Sequence, residues 1–279
     1  MSDMQNFIEP PHEAQGFVPR IIQSLKTSRA FLVDQRWASL LFLLVYVGLV
    51  AWDQYSARLL PTPPAPEWTS GWPDFLDPLK IQIAREGLNT WRSILASLVT
   101  LLFWGNALLY IADRSAAFPD AEVVGLGRYI VRASMIALLL LVPLGIGLVL
   151  LVIPGLLVAG ILVSAATITI FRSHGIFRAI GEAYRLVTQS LPGQNRVFGF
   201  SRSFIHITGA YALVMALAFV FALSTIFLAA GLSVLAPALA FPLYSLQTVL
   251  SELVGSFLNL SFSIFVLRLY SEYRTLLWR

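Results

Sequence analysis

The sequence contains no cysteine, which excludes disulfides, thiol nucleophiles and thiolate metal sites. Charge is scarce too: Asp, Glu, Lys and Arg make up only 12% of the 279 residues. There is no His-Glu-x-x-His, no phosphate-binding Gly-x-x-x-x-Gly-Lys, no Gly-x-Ser-x-Gly, and no pair of carboxylates at helical spacing within the apolar segments. The familiar routes to metal-assisted hydrolysis, phosphoryl transfer and acyl transfer are therefore missing. Gly125-Leu126-Gly127 has no strand before it and reads as a turn, not a nucleotide fingerprint. Too few ionisable groups lie in the apolar segments to supply an acid, a base and a charge stabiliser together. No catalytic residue, cofactor or metal is expected.

What the chain has in abundance is apolar sequence, at 57% hydrophobic residues and a mean hydropathy of +0.76. That composition belongs to the membrane class and leaves no room for a second, soluble domain. From Ala133 to Phe171, thirty-nine consecutive residues carry no charge, closed by Arg132 and Arg172. As one helix this run would be about 58 Å long, nearly twice a bilayer core, so it is expected to fold back as two spans, bent by the cluster of Pro143, Gly145, Gly147, Pro154 and Gly155. A second uncharged run, Ser203 to Ser251, holds one span to about Ala230, a non-polar turn over Gly231 to Phe241 and the start of another span.

The fold class expected is all-α, a polytopic membrane protein with six transmembrane helices plus amphipathic surface helices. Residues 1–36 form a tail and interfacial helix, 37–270 the membrane domain, and 271–279 a cytoplasmic end. The spans fall at about 37–52, 91–111, 129–149, 153–171, 203–230 and 247–267. Span one is short, with a Trp at each end. Leu32 and Val33 can extend it, Asp34 and Arg36 reaching to the head groups. Gly16 to Leu32 reads as a surface helix with Phe17, Val18, Ile21, Ile22, Leu25 and Leu32 on its apolar face and Arg20, Gln23, Lys26 and Thr27 opposite. Ile176 to Leu191 reads as a second, with Phe177, Ala183, Tyr184 and Val187 on the apolar side and Arg178, Glu182 and Arg185 opposite. No cleavable signal is expected, because the first apolar run starts only after residue 36.

With both termini inside, fifteen of the nineteen Lys and Arg residues lie on the cytoplasmic side, and only Arg58, Lys80, Arg85 and Arg92 outside. That asymmetry predicts a bacterial inner membrane protein with cytoplasmic termini. The net charge of +4 is thereby explained by orientation, with no nucleic acid as partner.

The one polar constellation lies on span six. Ser245, Thr248, Gly255, Ser256, Asn259 and Ser263 all fall within about 60° of Glu252 around the helix. Such a stripe is expected to face other spans or a wet cavity, as close-packing contacts or as a pathway. Asn106, at membrane depth in span two, is expected to face protein. Arg132 is expected to snorkel to the interface. His206, just inside span five with no acid near it in sequence, is expected to be a hydrogen-bonded interface residue.

Ile153-Pro154-Gly155, then Gly175, Ala179-Ile180 and Ala183, then Gly193-Gln194-Asn195-Arg196-Val197-Phe198-Gly199 form an ordered set. It resembles the pattern of a family of uncharacterised six-span bacterial inner-membrane proteins related to the membrane domain of glycerophosphodiester phosphodiesterases. Ala183 stands where the family usually has serine, and Leu191-Pro192 interrupts the end of the helix. The resemblance implies six spans and carries over no active site, and no phosphodiesterase domain is present. The function expected is non-catalytic: a scaffold or subunit of a membrane complex, or a part in envelope maintenance, with membrane lipids and a partner membrane protein or a second copy as contacts. The alternative is a transporter or lipid-handling protein using a polar cavity beside span six.

Overall fold

The computed structural model describes residues 7–8, 16–59, 94–96, 98–118, 122–150, 152–189, 201–236 and 240–277. Among them the fold is all-α, and the one β feature is an isolated antiparallel bridge between Val123 and Phe171. In chain order the helices are α1 (Phe17–Asp34), α2 (Arg36–Leu59), α3 (Ile94–Asp113), α4 (Leu126–Leu150), α5 (Val152–Ile168), α6 (Ile176–Thr188), α7 (Arg202–Leu235) and α8 (Ala240–Leu277). Four of these, α3, α4, α7 and α8, are long and apolar enough to cross a membrane, or five if α1 and α2 count as one broken span. By length and composition these several long apolar helices are compatible with a multi-pass membrane protein.

The helix ends follow local chemistry. Gln35 ends α1 at φ −100° and ψ 40°, its N–H turned back to the Phe31 carbonyl at 2.8 Å. Leu32 and Val33 therefore belong to α1 and do not lengthen the next helix. Ser201 caps α7, its Oγ accepting the Phe204 N–H at 3.0 Å, the usual use of serine before a helix. The same hydroxyl donates to the Val187 carbonyl at the end of α6.

Two turns differ from expectation. The Pro143–Gly147 cluster does not bend the chain, since α4 runs through Pro143 to Leu150. Pro154 instead sits in the first turn of α5, which starts at Val152, where its missing N–H has no helical partner to lose. Likewise α7 continues past Gly231 to Leu235 and α8 starts at Ala240, so the expected turn over Gly231 to Phe241 narrows to a few residues. Leu, Ala, Phe and Ile on either side outweigh one glycine, whose helix penalty is only about 1 kcal/mol.

The chain divides into two compact units. The first comprises Met1–Gln35, Leu102–Phe221 and Leu253–Arg279, the second Arg36–Leu101 and Ala222–Glu252. The second unit has few buried side chains among its described residues, Phe42, Tyr46, Ala229 and Val249. In it Phe42 and Tyr46 pack one turn apart on α2, and Ser251 meets Thr225 at 3.2 Å. The first unit holds the core. It is built on the C-terminal half of α8, where Leu258, Leu260, Phe262, Ile264, Phe265, Leu267, Leu269, Tyr270 and Tyr273 are all buried. Residues 271 to 275 are thus the continuation of a core helix, not a separate end. Two glycines let helices close in: a Cβ on Gly105 of α3 would meet the Tyr129 ring at 3.0 Å, and one on Gly160 of α5 would meet Ile207 at 3.3 Å.

Candidate functional site

In the first unit, α1 packs by its polar face. Arg20, Ser24, Thr27, Ser28 and Phe31 share one side of the helix and are its buried residues, while Val18 and Ile22 are exposed. Arg20 and Thr27, expected on the polar side of a surface helix, are thus buried. The reason is that α8 and α7 offer matched polar groups.

The centre of this contact is Arg20, with no exposed surface. Its Nε and Nη2 donate to the two carboxylate oxygens of Glu272 at 3.0 and 2.7 Å, and Nη1 donates to His206 Nδ1 at 2.7 Å. A guanidinium has only donors, so His206 accepts at Nδ1 and is the neutral tautomer protonated on Nε2. Phe17 and Phe265 close the cluster, with the Arg20 guanidinium 5.7 Å from the Phe265 ring centroid and Phe17 5.5 Å from the His206 ring. Phe17 also lies against Gly209 on α7, 3.6 Å from where a Cβ would stand. Further along, Ser28 and Ser261 hydroxyls meet at 2.8 Å, and Arg268 donates to Thr27 at 2.8 Å, Phe7 carbonyl at 3.1 Å and Gln23 at 3.2 Å. Asp34, exposed at the end of α1, accepts from the Tyr110 hydroxyl and pairs with Arg114 at 3.7 Å.

A second buried polar group surrounds His174. Arg132 donates to the carbonyls of Thr169, Phe171 and His174 at 3.4, 3.3 and 2.8 Å. It caps the negative end of α5. His174 Nε2 meets the Tyr270 hydroxyl at 3.1 Å and Nδ1 meets Ser173 at 2.9 Å. Burial, reinforced by Arg178, Arg274 and Arg132, holds the His174 imidazole down to a pKa of about 4, so it is neutral at ordinary pH.

Chemically, these groups are occupied with one another. Glu272 is bound bidentate and only 2% exposed. The pair is a clamp between the two ends of the chain. Among the described residues no three His, Asp or Glu side chains gather as a metal site would require. Between α1, α7 and α8 lies a shallow groove with a cavity volume of only about 30 Å³, lined by Ile21, Leu25, Leu213, Leu217, Leu258 and Phe262 together with Ser24 and Ser261.

The residues singled out by sequence lie elsewhere. Thr248, Glu252 and Asn259 are exposed on α8, Gly255, Ser256 and Ser263 half-buried, and the side chain of Ser245 lies outside the described residues. A Cβ on Gly255 would meet nothing within 4 Å, so that glycine serves no close approach. Asn106 is exposed on α3, contrary to the expectation that it faces protein, because its neighbours Gly105 and Ala107 take the inward positions. Only His206 is in a buried polar cluster, with Arg20 and Glu272 as partners brought from the two ends of the sequence. Sequence reasoning missed that pair. The signal present was the polar set 20, 24, 27 and 28 at helical spacing, together with Glu272, the one acid in the last three turns of α8.

Comparison with protein-family models, with curated proteins and with solved structures finds no match for the chain.

Proposed function

We propose that the protein is a non-catalytic, six-span inner-membrane protein that acts as a scaffold or subunit of a membrane complex. In this reading α2, α3, α4, α5, α7 and α8 are the spans, and both termini are cytoplasmic, as the distribution of arginines favours. At 17 residues, or about 26 Å, α5 is the shortest span and needs local thinning or its flanking turn to cross. Gly175, Ala179 and Ala183, which carry the resemblance to the six-span family, lie at the N-cap and on the buried face of α6, which packs on α5.

The observation that carries the proposal is the exposed polar stripe of α8. Glu252 and Asn259 face outward from α8 within its apolar stretch. Polar groups facing lipid are costly, and a partner helix that hydrogen-bonds to them removes the cost. The groove beside α8 is apolar, which favours this reading over a polar transport path.

The absence of cysteine makes the test direct. Asn259→Cys in native membranes is expected to cross-link to a protein, giving an adduct of defined mass above the 30.8 kDa chain. Adding Glu252→Leu should abolish the adduct. Labelling by lipid-borne reagents alone, with no protein adduct and a monomer in mild detergent, would sink the scaffold reading.

A further inference from the structure

The helix α6 is apolar on two sides, and only one of them is used by the fold. Ala179, Ala183, Leu186 and Val187 are fully buried. On the opposite arc Phe177 is 81% and Tyr184 55% exposed. At 100° per residue these two rings lie within about 20° of each other, and Arg178 and Arg185 lie about 80–100° round from Phe177 on the same outward arc. Arg185 is 61% exposed, and Arg178 is exposed while reaching the Ser173 carbonyl at 3.5 Å. The acid nearby, Glu182, lies past the arginines toward the buried side, 19% exposed and 3.7 Å from Arg185. The outward arc is therefore an aromatic edge beside a basic edge.

We infer that this face of α6 docks on the anionic head groups of the bilayer, Phe177 and Tyr184 entering the boundary between head groups and acyl chains while Arg178 and Arg185 meet lipid phosphates. Aromatic rings with a polar rim favour that depth, and guanidinium groups pair with phosphate in a fork. The occupant follows from charge and from position: α6 begins only eight residues after α5 ends, so a spanning α5 holds its start at the membrane boundary. The inference rests on the membrane-spanning reading above.

Gly181 lies between the two rings and the two arginines, with open space where a Cβ would go. A Gly181→Cys chain carrying an environment-sensitive dye would be reconstituted in phosphatidylcholine nanodiscs, with and without about a third phosphatidylglycerol. Blue-shifted emission and quenching by spin-labelled lipid are expected with phosphatidylglycerol, weakened by high salt. Arg178→Gln with Arg185→Gln should lower the preference for anionic discs on the order of tenfold. Emission equal in both lipids, or a preference untouched by the two substitutions, overturns the inference and assigns the face to water or to a protein. If the chain does not enter the discs at all, the membrane-spanning reading falls and takes the inference with it.

Discussion

Glu272→Gln removes one charge from the buried pair while keeping its size. Arg20, with no exposed surface, then keeps its charge beside a neutral amide where the carboxylate had been. Breaking a buried pair by removing one partner costs about 3–5 kcal/mol. At about 2–4 °C per kcal/mol, the midpoint of thermal unfolding in nanodiscs should fall by about 6–20 °C. Arg20→Met combined with Glu272→Leu should do less harm than either single change, because both charges leave together. Its residual loss of about 1–3 kcal/mol comes from His206, whose Nδ1 is left without a donor. A double-mutant cycle read by loss of monodisperse protein on heating gives the coupling. A Glu272→Gln midpoint within about 2 °C of the parent, or a double variant as damaged as the two singles added, would refute the clamp.

Three further perturbations test neighbouring parts of the first unit. Arg132→Ala uncaps α5 and should cost about 1–3 kcal/mol, with faster amide exchange confined to residues 169 to 175 as the readout. Because the folded His174 resists protonation down to pH about 4 while the unfolded chain takes a proton near 6.5, its stabilising share is complete above pH 6.5 and drains away as pH falls toward 4, by at most about 3 kcal/mol. Unfolding midpoints measured at pH 7.5 and 5 should therefore differ less in His174→Gln than in the parent chain. Gly105→Ala forces the Tyr129 ring to move from 3.0 Å and should lose about 1–3 kcal/mol, whereas Gly255→Ala, with open space around it, should be neutral or stabilising.

Periodicity and hydropathy are local properties, and what they dictate was legible in the chain itself. The all-α class, the helices near each expected span and the surface helix at α6 follow from runs of apolar residues, because backbone groups in apolar surroundings must bond within their own helix. Break points were less legible. Pro143 and Gly231 read as punctuation, but their apolar neighbours keep the helix going, and only the packing of the two arms of a hairpin decides which residue turns.

The polar groups were the least legible, for one physical reason. A sequence shows that α1 has a polar face, and the default is to turn that face to water. Whether it turns inward depends on a partner far away in the chain, and Arg20 and Glu272 are 252 residues apart. The same holds in reverse for Thr248, Glu252 and Asn259, whose stripe was legible but whose outward direction was not, since a helix's polar side is assigned by whatever packs against the other. Composition alone determined that this chain builds apolar helices without thiol chemistry. The tertiary structure decided which of its few charges are partners, and which helix faces are left uncovered for something else to meet.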